Sequence, residues 1–434
     1  MTKRTHKISI SKRFIASALM GSLAFSLCAC GNHPSPQSVN RNNLTNNISA
    51  AEVSGKAADE AFITSSADFS IELFRQSVQT NTQEDNVLIS PQSVLSALAM
   101  TANGAGDSTR TEMESVLCNG MTIEEFNPYM YTYNQQLADS DDVTFHMANS
   151  IWMKDDADAL QVKEDFLITD KTYYNADAYL APFDESTVND INNWVDTNTN
   201  GMIDSLLMEI PDQTVMYLIN ALAFEGEWET PYKETQIIEQ GTFTNSNGVE
   251  ETVPMLNSCE NLYIEGEHAT GFIKYYKGGE FAFLALLPEE GMSVEEYVDT
   301  LTGESYLELY ENREYQEVIV RIPEFSYEYS TELKEPLTNM GMEEAFQPNA
   351  NFTNMATTDT ELLYINRVLH KTYIELDRSG TKAAAVTAVE MNGETASAEE
   401  EAPPSVILDR PFVYAIIDTE TGLPVFMGTV NTVE

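Results

Sequence analysis

A segment of 25 residues, 380–404, is the feature that most constrains the fold of this chain. It lies between two stretches that predict buried strands, 371–377 and 405–409. Thirteen of its residues are Gly, Ala, Ser or Thr and five are Glu, so it can bury little apolar surface. Its first half is rich in Ala, Val and Thr, which suit a strand if a sheet opens to receive it. We therefore predict a long loop that can become a strand and that meets a partner.

The overall charge is strongly acidic, with 23 Lys and Arg against 69 Asp and Glu. Five of the basic residues lie in the first 29 positions, which predict a removable signal, so 18 basic residues remain after processing. This balance disfavours nucleic acid as a partner, and it disfavours docking on anionic lipid through a basic patch. It indicates a well-solvated surface.

The N-terminus predicts an export signal rather than part of the fold. Basic residues precede an apolar stretch, 14–27, that is too short for a membrane span. Residues 27–31, Leu-Cys-Ala-Cys-Gly, resemble the lipobox of bacterial lipoproteins. The resemblance implies a signal peptide over 1–29 and lipidation of Cys30, with several acyl chains that anchor the protein to the bacterial cell surface. The alternative is a plain secretory signal, which would release the protein outside the cell.

The remainder predicts one large α+β domain. Residues 30–57 are rich in Asn and Ser without periodicity, which predicts a flexible tether. In the predicted folded domain, 58–434, helical patterns dominate the first half and strand patterns the second, with no internal repeat. The nearly continuous apolar runs at 215–224 and 281–287 predict strands that are covered on both faces.

The sequence lacks the motifs that would indicate an enzyme. It has no GxSxG elbow, no HExxH and no P-loop. Beyond the lipobox only Cys118 and Cys259 remain, without metal-ligand spacing, and two isolated buried thiols are favoured over one bridge. We predict a protein that is not an enzyme and needs no cofactor and no metal.

Four separated motifs resemble the serpin family. They are NVLISPQS with the following ALAM and GA (86–105), LINALAFEGEW (218–228), His370-Lys371, and the C-terminal RPF and PVFMG (410–428). They occur in the family order, and the resemblance runs from about residue 58 to the C-terminus. It implies a fold with three β-sheets and about nine helices, and an exposed reactive-centre loop at about 378–404.

The resemblance also implies a suicide mechanism in which catalysis belongs to the target. The protease cuts the loop and forms an acyl-enzyme through its own nucleophile. The cleaved loop then inserts into the main sheet as a new strand, a form of strand addition for which serpins are an established example, and the trapped protease is distorted. The implied partner is a serine protease, with cysteine proteases as a second class, and the inhibitor is a monomer. The alternatives are a non-inhibitory serpin that acts as a binding module and, from another class, a substrate-binding lipoprotein.

The resemblance assigns a hinge at the start of the loop, where insertion requires small side chains. The hinge residues are Gly380, Thr381, Lys382, Ala383, Ala384, Ala385, Val386 and Thr387. Burying an unpaired charge would cost several kcal/mol, but Lys382 can face solvent if Thr381 and Ala383 point inward. The family usually has Glu at the positions of Arg378 and Lys382, so the local charge is reversed here.

Five further residues match family positions in the main sheet. Ser90, Ser93, Asn220 and His370 correspond to the shutter, a polar cluster where the sheet parts, and Trp228 corresponds to the breach. Buried hydroxyl, amide and imidazole groups can exchange hydrogen-bond partners as strands separate, so opening leaves few groups unsatisfied.

The scissile bond is predicted within a short window of the loop. The family register places it at Glu394, and counting back from the prolines at 403–404 places it near Glu400. An insert of about fifteen residues spans about 50 Å, which favours a cut among Glu394, Thr395, Ala396 and Ser397. Small residues suit an elastase- or subtilisin-like protease, whereas Glu394 suits a glutamate-specific endopeptidase. The acidic run 399–401 favours a target with a basic rim.

Overall fold

The computed structural model describes residues 43–81, 86–138, 140, 142–155, 160–358, 363–381 and 402–433. The predicted signal peptide, the lipidation site Cys30, the hinge from Lys382 to Thr387 and the reactive-site window 394–397 lie outside the described residues. They therefore stay predictions.

The described residues form nine α-helices, most of them in the first half of the chain. They are α1 (Glu60–Thr80), α2 (Pro91–Ala102), α3 (Asp107–Cys118), α4 (Ile123–Ala138), α5 (Glu164–Tyr173), α6 (Glu185–Asn198), α7 (Val294–Thr300), α8 (Gly303–Glu311) and α9 (Lys334–Asn339). None of these helices combines the length and the hydropathy needed to cross a bilayer.

The strands dominate the second half. They are β1 (Leu88–Ile89), β2 (Val143–Lys154), β3 (Leu160–Val162), β4 (Asp177–Ala181), β5 (Met216–Glu227), β6 (Ile237–Thr244), β7 (Glu250–Glu265), β8 (Ala269–Tyr275), β9 (Phe281–Pro288), β10 (Glu314–Pro323), β11 (Phe325–Glu332), β12 (Ala356–Thr358), β13 (Arg367–Leu376), β14 (Gly380–Thr381), β15 (Ser405–Ile407), β16 (Phe412–Asp418) and β17 (Pro424–Val430).

Three sheets result within the described part of the chain, which confirms the predicted α+β class. The main sheet has the order β11-β13-β14-β5-β2-β4, with β13 also bonded directly to β5. A larger sheet runs β1-β17-β16-β9-β8-β7-β10-β15, with β6 on β7, and a small one joins β12 to β3. The runs predicted to be covered on both faces are β5 and β9, and their apolar side chains are buried.

Helix α2 lies entirely in the core and carries two of the predicted site residues. Ser90 caps its N-terminus, where the hydroxyl accepts a hydrogen bond from the Ser93 backbone N–H at 3.4 Å. Pro91 follows at the first helical position, where its missing N–H removes no helical hydrogen bond. Every residue of α2 is buried, so Ser90 and Ser93 are held against strands rather than solvent.

Part of the predicted tether contacts the domain. The Asn43 amide donates to Asp177 Oδ1 at 3.0 Å, and Thr45 is buried. Further along, the Ala51 N–H donates to the Thr172 hydroxyl at 2.9 Å. Residues 43–51, part of the stretch that the Asn- and Ser-rich composition assigned to a flexible tether, thus lie against β4 and α5 in the structure, and the Lys56 N–H donates to the Pro128 carbonyl oxygen of α4 at 2.9 Å. The composition of this stretch predicted a solvated chain, but its polar groups form hydrogen bonds with residues far away in the sequence.

Candidate loop-insertion site in the main sheet

In the main sheet, β13 and β5 are hydrogen-bonded to each other at one end of the pair and separated at the other. These two strands are parallel and bonded from the pair Arg367–Tyr217 to the pair Thr372–Leu222. Beyond that point β14 lies between them, with Thr381 opposite both Gly226 on β5 and Leu376 on β13. The first two residues of the predicted hinge therefore already occupy the position of an inserted, antiparallel strand.

A tight turn brings the hinge back into the sheet. The Asp377 carboxylate accepts hydrogen bonds from the N–H groups of Ser379, at 2.6 Å, and Gly380, at 3.1 Å. A Cβ atom on Gly380 would lie 2.1 Å from the Gly226 carbonyl oxygen, a backbone atom that cannot move aside. Glycine is thus required here by the close approach of two strands.

Thr381 points into the molecule, as the hinge prediction requires. Its side chain is 1% exposed, and its hydroxyl shares a hydrogen bond of 2.6 Å with the hydroxyl of Tyr276.

Trp228 fastens the turn to the body of the domain. Its indole Nε1 donates to the Asp377 carbonyl oxygen at 3.0 Å, and its backbone N–H donates to the Ser379 carbonyl oxygen at 2.9 Å. Its ring stacks on Tyr276 with 4.6 Å between centroids and 10° between planes. The predicted breach residue therefore holds the turn that leads into the hinge, and its stacking partner Tyr276 bonds to Thr381 of the hinge.

A buried ion pair lies beneath this stack, and sequence reasoning missed it. Lys274 is 4% exposed, and its ammonium lies 2.9 Å from Glu260 Oε1. The same ammonium lies 4.7 Å from the ring centre of Tyr232 and 5.4 Å from that of Trp228. The available signal was a lysine within an apolar strand pattern at 269–275.

The reversed charge at position 378 has partners in the structure. The Arg378 guanidinium donates to both oxygens of Glu324, through Nε at 3.0 Å and through its terminal nitrogen at 3.3 Å. Glu234 and Glu239 lie 3.7 and 3.6 Å away. The hydrogen bond to Glu324 is the largest cause that raises the pKa of Arg378 above its ordinary value.

The structure brings the four predicted shutter residues together at the closed end of the gap. Asn220 on β5 lies opposite His370 on β13, and its Nδ2 donates to the Ser93 hydroxyl. His370 Nδ1 lies 2.6 Å from Asn220 Oδ1, and the Ser90 N–H donates to His370 Nε2 at 3.0 Å. All four residues are fully buried.

These hydrogen bonds assign the tautomer of His370. Since Nε2 accepts from the Ser90 backbone, the proton of the neutral ring is on Nδ1, which donates to Asn220. Burial lowers the pKa of His370 from 6.5 to about 3, because the charged ring would lose its hydration. The shutter is therefore a neutral network.

Asn149 is a fifth member that sequence reasoning did not assign to the cluster. It lies on β2 opposite Asn220, and its Oδ1 accepts from Asn220 Nδ2 at 2.6 Å. One amide on β5 thus bonds to residues of both neighbouring strands and of α2. The signal was the one polar residue among the alternate positions 143, 145, 147, 149 and 151, which are otherwise apolar.

Neither body cysteine forms a bridge. Cys118 is buried, and Cys259 is exposed, which corrects the expectation that both are buried. Cys259 lies on β7 opposite Ile319 of β10, at a strand face that solvent reaches. Desolvation, followed by the nearby Glu317 carboxylate, raises the pKa of Cys259 to about 12. No cluster of three or more His, Cys, Asp or Glu suited to a metal ion occurs among the described residues.

Comparisons with known proteins agree with this geometry. A family model, Serpin (serine protease inhibitor), matches residues 64–433. A serpin-like protein of Methanosarcina mazei is 28% identical over 373 residues, covering 84% of this chain and 85% of its own. Human neuroserpin is 27% identical over 382 residues, covering 84% and 90%. The crystal structure of tengpin, a thermophilic serpin, in its native state is 46% identical with a TM-score of 0.84, covering 90% of this chain and 99% of its own.

The residues that the family model matches include the predicted breach residue, the four predicted shutter residues and the described part of the predicted hinge. The sheet order and the helices of the structure are those of the same fold. This chain belongs to the serpin family, whose members are in general serine protease inhibitors.

Proposed function

We propose that this protein is a suicide-substrate inhibitor of serine proteases that prefer a small residue before the scissile bond, of the elastase or subtilisin kind. The observation that carries the proposal is the position of Gly380 and Thr381 between β13 and β5. A loop that begins inside the sheet can continue into it once cleavage frees its other end. An inhibitor that traps an acyl-enzyme needs this movement to be fast.

The register of the sheet supports continued insertion. Extending the pairing by one residue sets Lys382 opposite Glu225 on β5 and Glu375 on β13, both half-buried. Residues directly opposite each other in a sheet share a face, so a lysine would there meet two carboxylates. In an inserted strand the unusual charge at position 382 would thus be matched, as the charge at Arg378 is matched by Glu324.

The test is a denaturing gel of a soluble form that lacks the first 30 residues, after incubation with an elastase-like protease and, separately, with a glutamyl endopeptidase. We expect a denaturant-resistant band at the summed mass with the first enzyme and, by mass spectrometry, a cut among residues 394–397. A band with the glutamyl endopeptidase alone would instead assign the target to that class. Cleavage without a band for either enzyme would favour a non-inhibitory binding module.

Thr381→Arg is the matched control for this experiment. It places a charge at the buried position beside Tyr276. Burying such a charge without a partner costs several kcal/mol. We expect normal cleavage of the variant but no covalent band. If the variant trapped the protease as well as the parent protein, insertion along β5 would not be the trapping step.

We also propose that the mature protein is a monomer, exported and anchored to the bacterial surface through lipid on Cys30. The lipobox-like residues 27–31 support this proposal. Metabolic labelling with a fatty-acid analogue, lost in a Cys30→Ala variant, tests it. Release of the unlabelled parent protein into the medium would favour the plain secretory signal.

A further inference from the structure

Three consecutive carbonyl oxygens in the turn before the hinge are bound by two aromatic residues. Trp228 donates to the carbonyl oxygens of Asp377, through its indole nitrogen at 3.0 Å, and of Ser379, through its backbone N–H at 2.9 Å. The Tyr232 backbone N–H donates to the Arg378 carbonyl oxygen between them, also at 2.9 Å. The direction in which the chain enters the gap between β13 and β5 therefore depends on how these two aromatic residues are held.

The buried ammonium of Lys274 lies over the rings of both aromatic residues. It is 4.7 Å from the ring centre of Tyr232 and 5.4 Å from that of Trp228. Lys274 is only 4% exposed, and a cation that has lost most of its water attracts the face of an aromatic ring more strongly than an exposed one does. One buried charge can thus fix the positions of both rings.

Glu260 fixes the Lys274 ammonium and, through Ser258, the hydroxyl of Tyr232. Glu260 Oε1 lies 2.9 Å from the ammonium and accepts a hydrogen bond from the Ser258 hydroxyl at 2.5 Å. The Ser258 oxygen lies 3.1 Å from the Tyr232 hydroxyl, which donates because the proton of Ser258 is already used. These four residues thus form a closed chain of contacts, in which the ring and the hydroxyl of Tyr232 are both held.

We infer that Lys274 and Glu260 are positioning residues for loop insertion, because their ion pair orients the two aromatic residues that bind the turn at 377–379. This inference rests on the proposed function and adds to it a reason why insertion is fast: the turn already directs the new strand into register. Replacing a buried ion pair with neutral side chains of similar size often leaves stability unchanged, so stability alone does not explain the pair. Its removal should change how often insertion succeeds and not how the protease cuts.

A variant without either charge separates positioning from stability. Lys274→Met/Glu260→Gln keeps side chains of similar length and leaves no buried charge unpaired, so its urea midpoint of unfolding should stay close to that of the parent protein. We nevertheless expect the ratio of trapped to released elastase-like protease to fall about tenfold, because neither ring is attracted to a cation any longer. Arg110→Met/Glu114→Gln, which removes an ion pair of α3, is the matched control and should leave the ratio unchanged.

Hydrogen exchange tests the positioning without any protease. We expect the backbone N–H groups of Trp228 and Tyr232 to exchange about tenfold faster or more in the double variant, while those of the shutter keep the rates of the parent protein. This result would support the positioning even if the parent protein trapped no protease, an outcome that would overturn only the proposed function.

A second variant keeps the test open if the first fails to fold. Ser258→Ala retains both charges but removes the hydrogen bond to the Tyr232 hydroxyl, so exchange should become faster at the Tyr232 N–H and stay unchanged at that of Trp228. Exchange at Tyr232 as slow as in the parent protein in both variants would overturn the inference. A ratio of trapped to released protease equal to that of the parent protein in the double variant would also overturn it.

Discussion

The two ends of the gap between β13 and β5 are built from different chemistry. The breach end uses a stacked Trp228 and Tyr276, a buried Lys274–Glu260 ion pair and a hinge that is already seated. The shutter end is a neutral, fully buried hydrogen-bonded network centred on Asn220. At the breach, the groups bind the hinge to the domain, so the strands can stay apart. At the shutter, one amide bonds to both neighbouring strands, so parting them means exchanging its partners.

This difference indicates the end from which the gap between β13 and β5 widens. The strands are already separated above Thr372, and the next pairs to part lie toward the shutter. The breach should therefore control whether insertion starts. The shutter should set how much free energy is needed to separate β13 and β5 further. The five predictions below test that division, from the largest expected effect to the smallest.

Gly380→Val should have the largest effect because it acts where insertion starts. The new side chain would collide with the Gly226 carbonyl oxygen and the Glu227 Cα atom. Overpacking of about 3 kcal/mol corresponds to a factor of about one hundred in the ratio of trapped to released protease. Densitometry of covalent and cleaved bands measures this ratio. An unchanged ratio in Gly380→Val would contradict control by the breach.

Asn220→Ala should lower the free energy of unfolding by about 2 to 3 kcal/mol, because it leaves buried groups of His370, Ser93 and Asn149 without partners. Urea unfolding measures the loss. The exposed Asn261→Ala should change it little. A loss no larger than that of the control would mean that the network contributes no net stability to the closed sheet.

Acid should weaken the shutter through His370. Its folded-state pKa of about 3 lies below its ordinary value of 6.5, so the unfolded chain binds the extra proton first. Stability is then full above pH 6.5 and falls as the pH drops toward 3, by about 2 kcal/mol at pH 5. Thermal melts of the parent protein and of His370→Gln across this range test it. Equal slopes in the two proteins would mean that other groups account for the acid sensitivity.

Trp228→Phe should cost about 1 kcal/mol, because it keeps an aromatic ring on Tyr276 but loses the hydrogen bond from Nε1 to the Asp377 carbonyl oxygen. Chemical unfolding of the variant measures this cost. Trp152→Phe is the control for the ratio of trapped to released protease. It also loses a hydrogen bond from an indole nitrogen, but Trp152 lies in a separate core cluster. Only Trp228→Phe should lower that ratio.

Lys382→Glu should have the smallest effect, a threefold to fivefold fall in the same ratio. The inserted residue would face Glu225 and Glu375, and like charges directly opposite each other cost up to about 1 kcal/mol. A Lys382→Glu/Glu375→Lys double variant should recover part of the loss. If the single variant trapped protease better than the parent, the extended register would be wrong at this position.

Much of the fold and of the candidate site could be predicted because it depends on local patterns and on motifs. The apolar run of β5 predicted a strand buried on both faces, and Ser90-Pro91 predicted the start of α2. The predicted shutter residues Ser90, Ser93, Asn220 and His370 do meet in space. Contacts between residues far apart in the sequence were harder to predict. Asn149 looked like one polar position in a strand, and residues 43–51 looked like solvated chain until their contacts with β4 and α5 were known.

By itself, the sequence determined the α+β class, the acidic surface, the long small-residue loop and the residue types that a parting sheet requires. The tertiary structure alone decided that the hinge is already seated, that Arg378 is paired with Glu324, and that Glu225 and Glu375 lie on the two strands where Lys382 would enter. The physical reason is register. Which side chains face each other across strands depends on hydrogen bonds between segments that lie as far apart in sequence as β5 and β14, and a shift of one residue would turn every side chain to the other face.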